Sequence, residues 1–297
     1  MSTLDHSPNP ADAHVDKHGT VLHAQRFQML EDIARELAGP VVFPTYFDAA
    51  FRLRKELQNP DLPISRIATV VSLEPVIAAR LMQLAGSALY SPDGSAPRDL
   101  QAAIKRLGIE VVRTTALAIA MNQLMRSKET AVFSEFTKVL WDHSLRAAAA
   151  SRVLARKLTR VSPDEAMLAG LVHDLGAFYM IYRAAQYPEL RIRPDSVKHL
   201  ILQWHESIAL TLLASLGMPE EVVNATTDHD QLRELPEVVR SLGDIVYVGN
   251  LLAGAHVAWS GVDTDPVGEQ VELARRQHAE LLPDVDAAAV AMLSVFS

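Results

Sequence analysis

Apolar residues recur at three- and four-residue spacing along most of the chain from Gln25 onward. Phe27, Leu30, Ile33, Ala34 and Leu37 form the first such stripe, which Gly39-Pro40 closes. The same period predicts helices over residues 45–58, stopped at Asn59-Pro60, over 65–73, and from Pro75 to Leu84 or Ala85. The turn-rich segment GSALYSPDGSAPRD follows, and then a short helix capped by Asp99 and closed by Gly108. Further helices are predicted over 109–125, 134–158, 196–216 (with a potential break near Trp204), 220–230 and 236–255. Two short helices after the loop SGVDTDPVG complete the chain. No stretch alternates at period two, so the predicted fold is all-α.

One stretch departs from this amphipathic pattern. Residues 166–181, AMLAGLVHDLGAFYMI, are apolar on every face except for the adjacent pair His173-Asp174. The run begins with Ser162-Pro163-Asp164-Glu165, which combines a Ser N-cap, Pro at the first helical position and Glu three residues after the cap. His173-Asp174 is therefore expected about three turns into a buried helix. A charge at that depth must be paired, hydrogen-bonded or bound to metal.

Composition narrows the chemistry. Of 297 residues, 49% are hydrophobic and 22% charged, enough for a sizeable core in one large domain or two smaller ones. The absence of cysteine excludes disulfides, Cys-ligated zinc and thiol catalysis. A net charge of −8 argues against nucleic acid as the main partner, and Arg52-Leu53-Arg54-Lys55 reads as a solvated helix face. The start has no apolar leader segment, and no run has the length of a membrane span. The chain therefore reads as a soluble cytoplasmic protein with a disordered tail over residues 1–22.

Candidate ligands recur one helix after another: His143, His173 with Asp174, His205, Asp228 with His229, and Asn250. Imidazole and carboxylate without sulfur suit Zn, Fe, Mn or Ni. Each histidine taken alone reads as a satisfied core or surface residue; it is their regular recurrence that suggests a joint site. His199, His256 and His278 fit no such pattern and are read as surface residues.

The order His143, His173-Asp174 and a late polar group resembles the HD superfamily of metal-dependent phosphohydrolases. It is most similar to its HDOD branch, the HD-related output domain of bacterial signalling proteins. The resemblance covers about residues 41–253. It rests on EPVIAARLMQLAGSALY (74–90), AAIKRLG (102–108), WDHS (141–144), AGLVHDLG (169–176) and the His205 segment ending at GMP (217–219). The family's usual Asp, Asn and His-His are replaced by Glu74, Gly86 and Asp228-His229, and its closing aspartate by Asn250. Two histidines and two carboxylates would neutralise a divalent ion, whereas His143, His173 and Asp174 leave it net positive.

The resemblance implies an HDOD-like domain over 23–255, with subdomains of about 23–126 and 134–255, and a helical extension over 256–297. It also implies a degenerate, non-catalytic site kept for regulation, with no cofactor expected. The partner would be a signalling protein, and a nucleotide or phosphate ligand would be held by His205 and His229. The alternative is a metal-dependent phosphohydrolase acting on a nucleotide or phosphodiester, its divalent metal on His143, His173 and Asp174, with Asn250 or Asp228 closing the site. A nucleic-acid or membrane partner is not expected.

Overall fold

The computed structural model describes residues 19–39, 47–57, 59, 61–261 and 265–296, and among these there is no strand. The first helices are α1 (Thr20–Leu37), α2 (Asp48–Glu56), α3 (Ile64–Ser72), α4 (Pro75–Ala85), α5 (Leu100–Leu107) and α6 (Ile109–Met125). They lead to α7 (Ser134–Leu158), α8 (Pro163–Val172), α9 (Leu175–Ala184), α10 (Pro188–Arg191), α11 (Pro194–Ser215), α12 (Glu220–Ala225) and α13 (Leu242–Leu252). The short α14 (Val257–Ser260), then α15 (Asp265–Gln277) and α16 (Leu282–Phe296), follow. Residues 1–18 of the tail predicted over 1–22, and the predicted start of the second helix at Thr45, lie outside the described residues. α1 already begins at Thr20, and its Leu22 is buried.

Local chemistry sets several helix starts as the pattern requires. Asp99 accepts from the Ala102 N–H at 2.8 Å, Ser162 accepts from the Glu165 N–H, and Pro75, Pro163, Pro188 and Pro194 open their helices. Gly108, at φ +81°, makes the corner between α5 and α6.

Four expectations need correction. Residues 166–181 are not one helix: α8 stops at Val172, and Asp174, at φ −96° and ψ 15°, starts α9. Consecutive helical residues point about 100° apart, so the break is what lets two adjacent side chains address one point. Residues 226–230 form turns after α12, with Asp228 at φ +58°. α13 starts at Leu242 rather than at Pro236, because Ser241 and Asp244 form a capping box there. α11 runs unbroken past Trp204.

One continuous hydrophobic cluster extends from Leu22 to Phe296. The 25-residue α7 is its axis, packed by α8, α13 and α16, while α9 packs on α11. Close approach demands glycine: a Cβ at Gly170 or Gly249 would stand 2.6 or 2.5 Å from Ser151 Oγ on α7. A Cβ at Gly176 would stand 2.0 Å from the His205 carbonyl oxygen.

The two parts of the chain interleave across the subdomain boundary read from sequence. α1 lies against α9, α10 and α11. There Tyr179 and Tyr187 donate to Glu36 and Asp32 at 2.6 Å each, and Arg183 pairs with Glu36. The C-terminal helix is tied to the bundle: Asn122 Nδ2 and Trp141 Nε1 both donate to the Phe296 carbonyl, at 2.8 and 3.3 Å. Arg152 pairs with Asp164 at 2.7 Å beneath the Tyr90 ring.

Gly176→Ala should cost about 3 kcal/mol or more, because the clash is with backbone on α11, and urea denaturation would measure it. The capping carboxylate of Asp244 would be pushed up by burial, but the Ser241 and Arg240 N–H donors hold it below its usual range. Its contribution is therefore complete above the unfolded carboxylate range and lost as pH falls. Asp244→Ala should cost about 1 kcal/mol at pH 7, and the difference should shrink below about pH 4 in pH-resolved melts.

Candidate metal centre

Four elements deliver four imidazoles to one buried point. α7 contributes His143, the α8–α9 break His173, α11 His205, and the turn after α12 His229. Each ring is anchored through Nδ1 to a backbone carbonyl: His143 to Ala253 (3.4 Å), His173 to Gly170 (2.8 Å), His205 to Ile201 (2.7 Å) and His229 to Thr226 (2.8 Å). A carbonyl only accepts, so Nδ1 carries the proton in all four rings. All four Nε2 atoms are thereby turned inward.

Those inward atoms meet in two pairs. His143 Nε2 and His173 Nε2 are 3.1 Å apart, and His205 Nε2 and His229 Nε2 are 3.3 Å apart. Two neutral rings bonded through Nδ1 would present lone pair to lone pair at these distances, which is repulsive unless a cation or proton lies between them. A metal ion with bonds of about 2.0–2.1 Å to each nitrogen would span such a gap.

The carboxylate of Asp174 straddles both pairs. Its Oδ2 is 3.5 Å from His143 and 3.3 Å from His173, and its Oδ1 is 3.5 Å from His205 and 3.3 Å from His229. Asp230 adds a second carboxylate, its Oδ2 3.4 Å from His205 and 3.9 Å from His229. Neither Asp174 Oδ2 nor Asp230 Oδ2 has a hydrogen-bond partner, although both are buried. Unpaired anionic oxygens beside paired imidazoles are the donor set of a divalent ion, so the residues fit such a group. The two ligand groups are His143, His173 and Asp174, and Asp174, His205, His229 and Asp230.

Electrostatics divides the four rings by neighbour. Burial pushes His143 down, and pushes His173 down to about 4. Burial alone would do the same to His205 and His229, but Asp230 and Asp174 raise both, His229 to about 10. Burial would raise Asp174, yet the surrounding histidines hold it well below the carboxylate range, and His229 and His205 do the same for Asp230. Without a metal, protons on the second pair thus supply the positive charge that the carboxylates require.

The sequence candidates fall into place unevenly. His143, His173, Asp174, His205 and His229 converge. Asp228 does not: it is exposed and accepts from the Gln231 side chain at 2.7 Å. Asn250 comes to the rim, where its Nδ2 donates to the His229 carbonyl and to Asp230 Oδ1, at 3.0 and 2.9 Å. It thereby aims Asp230 Oδ2 at the second pair and holds a neighbour of the ligands. His256, read as a surface residue, stands 3.6 Å from Asp230 Oδ1, and His278 is buried elsewhere; His199 is exposed. Sequence reading missed Asp230 and Glu206, whose Oε1 accepts from the Asp230 N–H at 3.0 Å. The run Asp228-His229-Asp230 was the available signal, but the left-handed turn at Asp228 decides which carboxylate points inward.

An all-α bundle that gathers these ligands around a His-Asp pair is an HD-type fold. The HDOD domain model matches residues 43–232, and the chain belongs to the HDOD domain family. An uncharacterised protein of Treponema pallidum (strain Nichols) is 24% identical over 216 residues, 67% of this chain and 40% of the relative. The chain thus spans less than half the length of that curated relative. A candidate metal-dependent phosphohydrolase from Shewanella amazonensis SB2B shares the fold with a TM-score of 0.72 at 21% identity, covering 92% of this chain and 100% of that one. An HDOD domain protein with unknown function from Geobacter sulfurreducens gives 0.55 at 19% identity over 91% and 99% of the two chains. A candidate signal transduction protein from Marinobacter aquaeolei VT8 gives 0.51 at 20% identity over 96% and 69%.

Removing the shared carboxylate should be costly: Asp174→Ala is expected to lose roughly 3–5 kcal/mol of stability by chemical denaturation. Asp228→Asn should stay within about 0.5 kcal/mol of wild type in the same experiment.

Proposed function

We propose that this chain is a regulatory HDOD module that holds divalent metal in its core and acts by binding a signalling partner or small ligand, without turnover. The observation that carries this reading is a well-furnished donor set in a closed interior. The side chains of His143, His173, Asp174, His205 and His229 are no more than 1% exposed, and that of Asp230 is 12% exposed. Four surface cavities of the molecule are lined by residues outside the centre. An ion held between helices α7, α9 and α11 can set their relative positions.

The site is degenerate in sequence order rather than in donor count. Asn250 stands where a closing aspartate would bind, yet His205, His229, Asp174 and Asp230 supply the two histidines and two carboxylates that neutralise a divalent ion. This completeness is also what favours a second reading, a metal-dependent phosphohydrolase for a nucleotide or phosphodiester. In that case a bound ion would supply Lewis acidity, and His205 and His229 would orient it. Among the described residues no helix is long and apolar enough to cross a membrane.

Elemental mass spectrometry of tag-free protein purified without chelator tests the metal. Zn, Fe, Mn or Ni is expected, with occupancy lowered in Asp230→Ala and lost in Asp174→Ala; a metal-free wild type would overturn this part. No release of phosphate or nucleoside monophosphate is expected from a nucleotide and phosphodiester panel with any of these ions. Metal-dependent release that disappears in Asp174→Ala would overturn the non-catalytic reading and establish the second one.

A further inference from the structure

The centre meets solvent beside Asp230, its one partly exposed member, and a single short segment covers that edge. Residues 254–261 touch two of the six ligands, and Ala253 just before them touches a third. The Ala253 carbonyl accepts from His143, His256 Nδ1 stands 3.6 Å from Asp230 Oδ1, and the Trp259 ring meets His205 edge-on at 5.9 Å. Trp259 is 3% exposed and stacks on Phe136 at 5.8 Å, which closes the side toward α7.

Three features make this cover separable from what it covers. Its ends are bracketed by left-handed backbone: Gly254 at φ +100°, Ala255 at φ +49° and Gly261 at φ +68°. Ala255 lacks glycine's freedom, so the closed arrangement carries backbone strain at that hinge. Within the bracket, the backbone N–H groups of Ala258, Trp259, Ser260 and Gly261 all donate to carbonyls of residues 254–257. Gly254 and Ala255 stay tied to α13, their N–H groups donating to the Leu251 and Asn250 carbonyls at 2.9 and 2.8 Å, so the part that can move as a unit is residues 256–261, pivoting on that anchored pair. Its underside is also incompletely satisfied: Trp259 Nε1 is buried without a hydrogen-bond partner, and His256 Nδ1 reaches only the Asp230 carboxylate, at 3.6 Å. Water would satisfy both on opening, which lowers the cost of leaving the closed position.

We infer that residues 256–261 form a hinged cover that opens as a unit on Gly254-Ala255 and Gly261 and gates exchange of the buried centre with solvent. This inference rests on the metal reading above and adds its regulation: whatever displaces Trp259 from the His205–Phe136 slot opens the centre to ions and small anions. Trp259 is a positioning residue here and touches no carboxylate of the ligand set.

Two measurements on the full chain test it. In backbone hydrogen exchange of metal-free protein, the amides of 258–261 are expected to exchange about a hundredfold faster than those of 245–252 in α13. Equal protection of the two segments would overturn the cover. In the second measurement, metal-loaded protein is mixed with excess chelator and the rate of metal loss is followed. Trp259→Ala should lose metal about tenfold faster than wild type at unchanged initial stoichiometry, and Trp259→Phe, which refills the slot, should stay within about threefold. Equal rates for wild type and Trp259→Ala would overturn the gating. A wild type that holds no metal would defeat the metal reading, and the exchange measurement would still decide whether the cover moves.

Discussion

Two pairs of imidazole nitrogens face each other across a single carboxylate in the middle of this protein, and that constraint organises the rest. Imidazole nitrogens 3.1 and 3.3 Å apart cannot face each other without a proton or a cation between them. Every nearby structural decision follows from placing them. The chain breaks between α8 and α9 so that His173 and Asp174 point together. Gly176 lets α9 press against α11 until His205 reaches the same point. The turn after α12 takes a left-handed residue so that His229 and Asp230 both face inward. Backbone carbonyls hold the outer nitrogens, so the orientation of each ring is set by the main chain rather than by adaptable side chains.

Asn250 serves as a clamp, with one amide group gripping both the His229 carbonyl and the Asp230 carboxylate. Asp230 reaches the second histidine pair from a neighbouring turn. The inward Nε2 atoms of the four rings thus share two carboxylates, Asp174 and Asp230, while Glu206 stands 3.6 Å from the outer nitrogen of His229.

Much of this was legible before any coordinates. Helix period, with Pro75, the Asp99 cap and Gly108, gives the order and nearly the bounds of α3 to α7. His143, His173, Asp174, His205 and His229 stand out because buried polar residues in apolar helices demand partners. The illegible parts share one cause. Where residues are buried on all sides, as over 166–181, there is no stripe whose interruption could reveal the break. Where a ligand sits in a turn, as at 226–230, a single φ value decides which of two aspartates enters, and periodicity does not encode it. The partnership of α1 with α9 depends on tyrosines and acids 143 to 155 positions apart in sequence, a separation that local pattern does not register.

The grips at the two flanks of the bundle give it a mechanical character. α1 is clasped through Glu36 and Asp32 by Tyr179, Arg183 and Tyr187, at the far end of the segment that Asp174 begins. α16 is clasped through the Phe296 carbonyl by Trp141, two residues before His143. Each flanking helix is thus one rigid lever away from a ligand of the centre. A tether, a fused domain or an affinity handle at either flank would therefore pull on the same elements that carry Asp174 and His143.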